Sequence, residues 1–187
     1  MADGAGHGFR HLGDDVIADL HAIRVVSARF EAPDGTTFTR DVVRNRGAVA
    51  MVPLLDDGRT VLLVRQYRGP IDRDLLEIPA GLCDVEGEPL EATAHRELAE
   101  ELGRSATNLE HLVSYDPVAG FSDHVVHVYL ATGLAEVPDD RQGVEETHMT
   151  VEPFDLDGLD AAIADGTLTD AKTIIGLLLV RDRRRRA

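Results

Sequence analysis

The stretch GLCDVEGEPLEATAHRELAEELG, residues 81–103, decides how this chain is read. Pro89 suits the first turn of a helix, where a missing N–H removes no hydrogen bond. Gly103 suits the left-handed residue just past a helix end. Between them Leu90, Ala94, Leu98 and Leu102 recur every fourth residue, an apolar stripe of the kind a helix buries. The pattern predicts a helix over residues 89–102, about four turns long.

Glu97, Glu100 and Glu101 lie beside that stripe, within about a quarter of the helix circumference. Glu97 and Glu101 stand at i,i+4, where like charges repel. A solvated acidic face, with Arg96 paired to Glu100 at i,i+4, is the plain structural explanation. A hard divalent cation gives the cluster a stronger reason. Mg²⁺ takes oxygen ligands, keeps several waters, and is held by a few carboxylates together with substrate phosphates.

The same residues resemble the signature of the Nudix hydrolases, G-x5-E-x7-R-E-U-x-E-E-x-G-U, with U a bulky apolar residue. Glu88 matches the first acid, and Arg96, Glu97, Leu98, Glu100, Glu101 and Gly103 follow it at the expected spacing. Two positions depart from the pattern. Gly81 is one residue further from Glu88 than usual, and Arg104 stands where an apolar residue is usual. The first lengthens a loop and the second falls outside the helix, so neither removes a catalytic group.

Composition narrows the class. At 187 residues with 43% hydrophobic residues, the chain reads as one globular domain. No apolar run approaches the roughly 20 residues of a membrane helix, and no secretion signal is visible, so a cytoplasmic protein without a membrane partner is expected. The single cysteine, Cys83, fits a reducing compartment and is read as a small filler, not a nucleophile. A net charge of −15 argues against duplex nucleic acid as a partner. An anionic substrate would need local help from metal and a few arginines.

Along the chain, residues 1–14 read as a disordered arm. Residues 16–30 and 36–44 read as two strands joined through Ala32-Pro33-Asp34-Gly35, a hairpin. Strands follow over 48–55, 60–67 and 75–78 before the helix, and over 108–115, 125–131 and 147–151 after it. Helices are expected over 156–164 and 170–180. The arginine-rich end, residues 181–186, reads as an unstructured solubilising tail. The expected division is an arm at 1–14, N-terminal strands at 15–45, a catalytic domain at 46–181 and a basic tail at 182–187, in an α+β class.

The resemblance extends over most of residues 40–180. Glu77-Ile78-Pro79-Ala80-Gly81 looks like the E-(I/L)-P-A-G segment of the ADP-ribose pyrophosphatase branch. Val64-Arg65-Gln66-Tyr67-Arg68 resembles its V-x-Q-x-R strand, Gly120-Phe121-Ser122-Asp123 its substrate loop, and Asp170-Ala171-Lys172-Thr173 the start of its last helix. The resemblance implies a Nudix α/β/α sandwich with a mixed sheet behind an N-terminal hairpin. It implies a homodimer that exchanges the N-terminal strands. It further implies hydrolysis of ADP-ribose to AMP and ribose 5-phosphate with Mg²⁺, or Mn²⁺, as cofactor. Glu97, Glu100, Glu101 and the carbonyl of Ala80 would hold metal, and Arg96 would orient a carboxylate. Arg65, Arg68, Phe121 and Ser122 would contact substrate. A loop glutamate, Glu145 or else Glu146, would act as the base. Ala119 replaces a proline usual in the branch, so other nucleoside diphosphate sugars stand as alternative substrates. A sensor that binds ADP-ribose without cutting it is the reading from a different class.

Overall fold

The computed structural model describes residues 7–138 and 147–186. The chain divides into two compact units, Met1–Gly47 with Asp116–Val125, and Ala48–Tyr115 with Val126–Ala187.

The first unit is a three-stranded antiparallel sheet of β1 (Arg10–Asp19), β2 (Arg24–Glu31) and β3 (Thr37–Arg44), in that order. The β2–β3 connection is the turn the sequence announces. Gly35 N–H donates to the Ala32 carbonyl at 2.9 Å, and the Asp34 carboxylate accepts from Thr36 N–H at 2.9 Å. The disordered-arm reading of residues 1–14 is corrected, because β1 already begins at Arg10. The continuous strand expected over 16–30 is also broken, by a tight connection in which Leu20 N–H donates to the Ile23 carbonyl. The register of β1 against β2 shifts twice, between His11 and Gly13 and between Val16 and Ala18. Such bulges break the period-two alternation by which a strand is recognised. The Asp116–Val125 segment lies along β3. Val43 N–H donates to the Phe121 carbonyl at 2.8 Å, and the Ser122 hydroxyl donates to the Val43 carbonyl at 2.7 Å.

The second unit contains two sheets. A mixed sheet runs β7-β4-β9-β8, from β4 (Ala48–Pro53), β7 (Ala80–Leu82), β8 (Arg104–Tyr115) and β9 (Val126–Glu136). Its β4–β9 pair is parallel and the other pairs are antiparallel. An antiparallel sheet runs β10-β5-β6, from β5 (Thr60–Arg68), β6 (Arg73–Glu77) and β10 (Thr150–Asp155). Alternate residues of a strand point to opposite faces, and in β4 and β5 both faces are apolar and buried. Val49, Met51, Leu62 and Val64 form one core with Ala94, Leu98 and Leu102 of helix α1 (Leu90–Leu102). Ala50, Val52, Val61 and Leu63 form the other, with helices α2 (Leu159–Ala164) and α3 (Ala171–Arg184). The result is the expected α/β/α layering.

The arginine-rich end does not read out as a tail. Helix α3 continues through Arg184, Arg181 is buried and pairs with Asp160, Arg183 pairs with Glu110, and Arg184 pairs with Asp157. Cations in a last helical turn are favoured by the helix dipole. Among the described residues no helix is long and apolar enough to cross a membrane. Leu98, fully buried between α1 and the sheets, tests the α1-side core. Leu98→Ala should lower unfolding free energy by about 2–5 kcal/mol in a urea titration.

Candidate active site

Helix α1 starts and stops where its caps dictate. Pro89 is the N-cap, with φ −62° and ψ 145°. Gly103 ends the helix at φ 60° and donates to the carbonyls of Leu98 and Ala99. The face it buries is not purely apolar. Thr93, Ala94, Glu97, Leu98, Glu101 and Leu102 are all buried, so two carboxylates enter the packed side of the helix with the leucines. A buried charge persists only where partners hold it.

Those partners lie on the strand that faces the helix. Ala80 N–H donates to Glu101 Oε2 at 3.0 Å. Glu97 is placed by a missing side chain. A Cβ on Gly81 would stand 1.9 Å from Glu97 Cδ and about as close to both carboxylate oxygens, at 2.1 and 2.2 Å. Glycine at 81 is therefore a requirement of space, and the glutamate fills the place a methyl group would take.

Arg96 gathers the other acids. Its Nη1 donates to Glu97 Oε1 at 2.7 Å and to Glu100 Oε2 at 3.1 Å. Its Nη2 lies 3.5 Å from Glu88 Oε2 and from Asp84 Oδ1. Burial works against this guanidinium, but Glu97, Glu100 and Glu88 outweigh it and hold its pKa above the ordinary arginine value. Glu88 also accepts from the buried Thr93 hydroxyl at 2.8 Å. The structure thus brings Glu88, Arg96, Glu97, Glu100, Glu101 and Ala80 into one neighbourhood.

A second charged group gathers at the end of β6, three residues before Ala80. Glu77, only 2% exposed, accepts from Arg68 Nη2 at 2.5 Å and lies 3.3 Å from Lys172 Nζ. Burial opposes the Arg68 charge, but Glu77, with help from Glu101, lifts its pKa above the ordinary value. Arg68 therefore lies within electrostatic reach of Glu101 while tied to Glu77. Arg65 forms a two-pronged pair with Glu152, Nε to Oε1 at 2.6 Å and Nη2 to Oε2 at 3.0 Å. Phe121 is exposed, and both it and Ser122 belong to the first compact unit. Glu145 and Glu146 lie outside the described residues. Burial, with Asp84 nearby, pushes the Cys83 thiol up, which is the direction of an inert cysteine.

The donor set fits a hard divalent cation. Carboxylates and a backbone carbonyl are oxygen donors of the sort Mg²⁺ and Mn²⁺ take, without the thiolate or imidazole that favours zinc. Among the described residues no three acidic, histidine or cysteine side chains already converge on one point. Arg96 holds Glu97 and Glu100 in this arrangement.

The NUDIX domain model matches residues 44–175. The chain belongs to the Nudix family. An ADP-ribose pyrophosphatase of Mycobacterium tuberculosis is 39% identical over 178 residues, covering 94% of this chain and 84% of that protein. Another ADP-ribose pyrophosphatase, from Bacillus subtilis, is 36% identical over 143 residues, 76% of each chain. A solved ADP compounds hydrolase shares the fold, with a TM-score of 0.82 over 95% of both chains at 24% identity.

Within this Nudix site, sequence reasoning found the helical acids and missed what positions them. Glu77, Lys172 and Thr173 were visible only as letters in two segments, with nothing local to show that they meet. Gly81 stands in the sequence as the first glycine of the signature, and the structure adds that its missing Cβ admits Glu97. Gly81→Ala should cost about 1–3 kcal/mol of stability, because the added methyl group displaces a buried carboxylate that Arg96 holds. Its Mn²⁺ affinity should fall about tenfold or more, as for other lost supports of metal ligands. A Mn²⁺ titration followed by electron paramagnetic resonance, beside a thermal melt, checks both.

Proposed function

We propose that this Nudix hydrolase cleaves the pyrophosphate bond of ADP-ribose, with a divalent metal, to give AMP and ribose 5-phosphate. The observation that carries the proposal is the pair of buried carboxylates, Glu97 and Glu101, set against the backbone of Ala80 and Gly81. Similarity to ADP-ribose pyrophosphatases along nearly the whole chain supports the substrate. When bound, Mg²⁺ or Mn²⁺ neutralises diphosphate charge and lowers the pKa of a bound water.

The protein's residues divide the remaining work. Glu97 and Glu101 hold the metal, with Glu100 and the Ala80 carbonyl completing the oxygen set. Arg96 orients Glu97 and Glu100. Arg68 and Arg65 receive the anionic substrate, each exchanging part of its carboxylate pairing for a phosphate or ribose oxygen. Phe121 and Ser122 contact substrate from the 116–125 segment. Glu145, or Glu146 in its place, accepts the proton of the attacking water as the phosphorus–oxygen bridge breaks and the second phosphate leaves.

Purified protein should release AMP from ADP-ribose with Mg²⁺, and full activity in excess chelator would overturn the proposal. Glu101→Gln should weaken both metal affinity and turnover. Glu145→Gln, or Glu146→Gln, should lower turnover about 10²–10⁴-fold at unchanged metal affinity. Mg²⁺ titrations of each variant separate the two patterns.

A homodimer and a cytoplasmic setting complete the reading. Leu12, Val16, Ile17 and Leu20 expose apolar side chains on or beside β1, an edge strand. Exposed apolar edges are natural pairing surfaces. Sedimentation at micromolar concentration should give a dimer, and Ile17→Asp should shift it toward monomer.

A further inference from the structure

The segment that leads into Ala80 and Gly81 is held by the first turn of α3. Thr173 and Lys172 make the attachment. The Thr173 hydroxyl, fully buried, accepts from Ile78 N–H at 2.8 Å and donates to Asp170 Oδ2 at 2.6 Å. Asp170, the N-cap of α3, also accepts from Thr173 N–H at 2.9 Å, so the hydroxyl is fixed in direction. One residue earlier, Lys172 lies 3.3 Å from Glu77 and 3.1 Å from Asp170, with its side chain only 13% exposed. One helical turn on, Gly176 lets α3 approach. A Cβ there would stand 2.9 Å from Val52 Cγ2 and 3.3 Å from Ile78 Cδ1.

The Glu77–Gly81 segment is therefore met by four elements, β5, α3, β4 and α1. Glu77 is held by Arg68 and Lys172, Ile78 by Thr173, and the Pro79 carbonyl by Met51 N–H at 2.9 Å. Ala80 then donates to Glu101, and Gly81 makes room for Glu97. Backbone placement on the α3 side is converted into carboxylate placement on the α1 side. We propose that Thr173, assisted by Lys172, is a positioning residue for metal binding, acting through the Ile78–Gly81 backbone on Glu101 and Glu97. The proposal rests on the reading of those two glutamates as the metal-holding pair.

The test is Mn²⁺ affinity, read from the free-ion electron paramagnetic resonance signal, in full-length Thr173→Val, Thr173→Ser and Glu101→Gln. Near-ultraviolet circular dichroism gives the folded fraction of each. Valine keeps the shape of threonine but removes the acceptor for Ile78 N–H. Serine keeps the acceptor. Supports of this kind shift metal affinity about 10–100-fold when lost. Thr173→Val should weaken Mn²⁺ binding about tenfold or more while folded, with Thr173→Ser close to the unmodified protein. Thr173→Val binding Mn²⁺ normally, while Glu101→Gln does not, overturns the inference and leaves the metal-site reading standing. So does an affinity that falls only in step with the folded fraction. Glu101→Gln titrating normally overturns the metal-site reading and this inference with it. If Thr173→Val does not fold, Lys172→Met decides. A weakened Mn²⁺ affinity in the folded variant supports the positioning role, and normal affinity overturns it.

Discussion

The contact between the Ala80–Gly81 backbone and the buried carboxylates of α1 governs the rest of the second compact unit. Two glutamates on the packed face of a helix are unfavourable on their own, since both lose water and repel each other. The facing strand answers with one N–H for Glu101 and with empty space for Glu97. Arg96 answers from the helix itself, sharing one guanidinium nitrogen between Glu97 and Glu100. Acids still outnumber the basic partner in this neighbourhood, and that local excess suits the site to a cation.

The positive groups near the site follow the opposite logic. The protein carries a net charge of −15, so its overall field opposes an anionic ligand. Arg65, Arg68 and Lys172 are each neutralised by carboxylates of the same unit. Such pairing holds long side chains in one conformation. On the function proposed above, phosphate binding at Arg65 and Arg68 would exchange one anion for another, and a bound metal would supply the uncompensated positive charge.

Local signals made α1 legible. The four-residue spacing of Leu90, Ala94, Leu98 and Leu102, the proline before and the glycine after, act within one helix, and the structure keeps its bounds to one residue. The two-faced strands were legible as strands for the same reason. Their division into two sheets was not, because pairing partners such as Arg65 and Thr150 are far apart in sequence. The same limit hid the Thr173–Ile78 hydrogen bond, which spans 95 residues. Nothing in the letters DAKT says which strand they will meet. In β1 the failure was local: two bulges and exposed acids erased the alternation, and Asp14 is settled by Arg44, whose position only the fold supplies. The terminal arginines misled for a similar reason, since a run of cations looks solvated until Asp160, Asp157 and Glu110 are seen beside it.

The extra residue between Gly81 and Glu88 shows how such a site tolerates variation. A longer loop could have displaced Glu88 from Arg96 or rotated the start of α1. It does neither. The loop closes in a tight turn before the helix, with Glu88 N–H donating to the Val85 carbonyl at 3.2 Å and Gly87 at φ 78°, a conformation other residues adopt with strain. Glu88 leaves this turn still within reach of Thr93 and Arg96, and Pro89 then fixes the helix start. The spacing of Glu97, Glu100 and Glu101 is set by helix geometry alone, so it is indifferent to what precedes Pro89. Separation of the acid-bearing helix from the loop ahead of it lets the signature vary at its first glycine without change in the spacing of Glu97, Glu100 and Glu101.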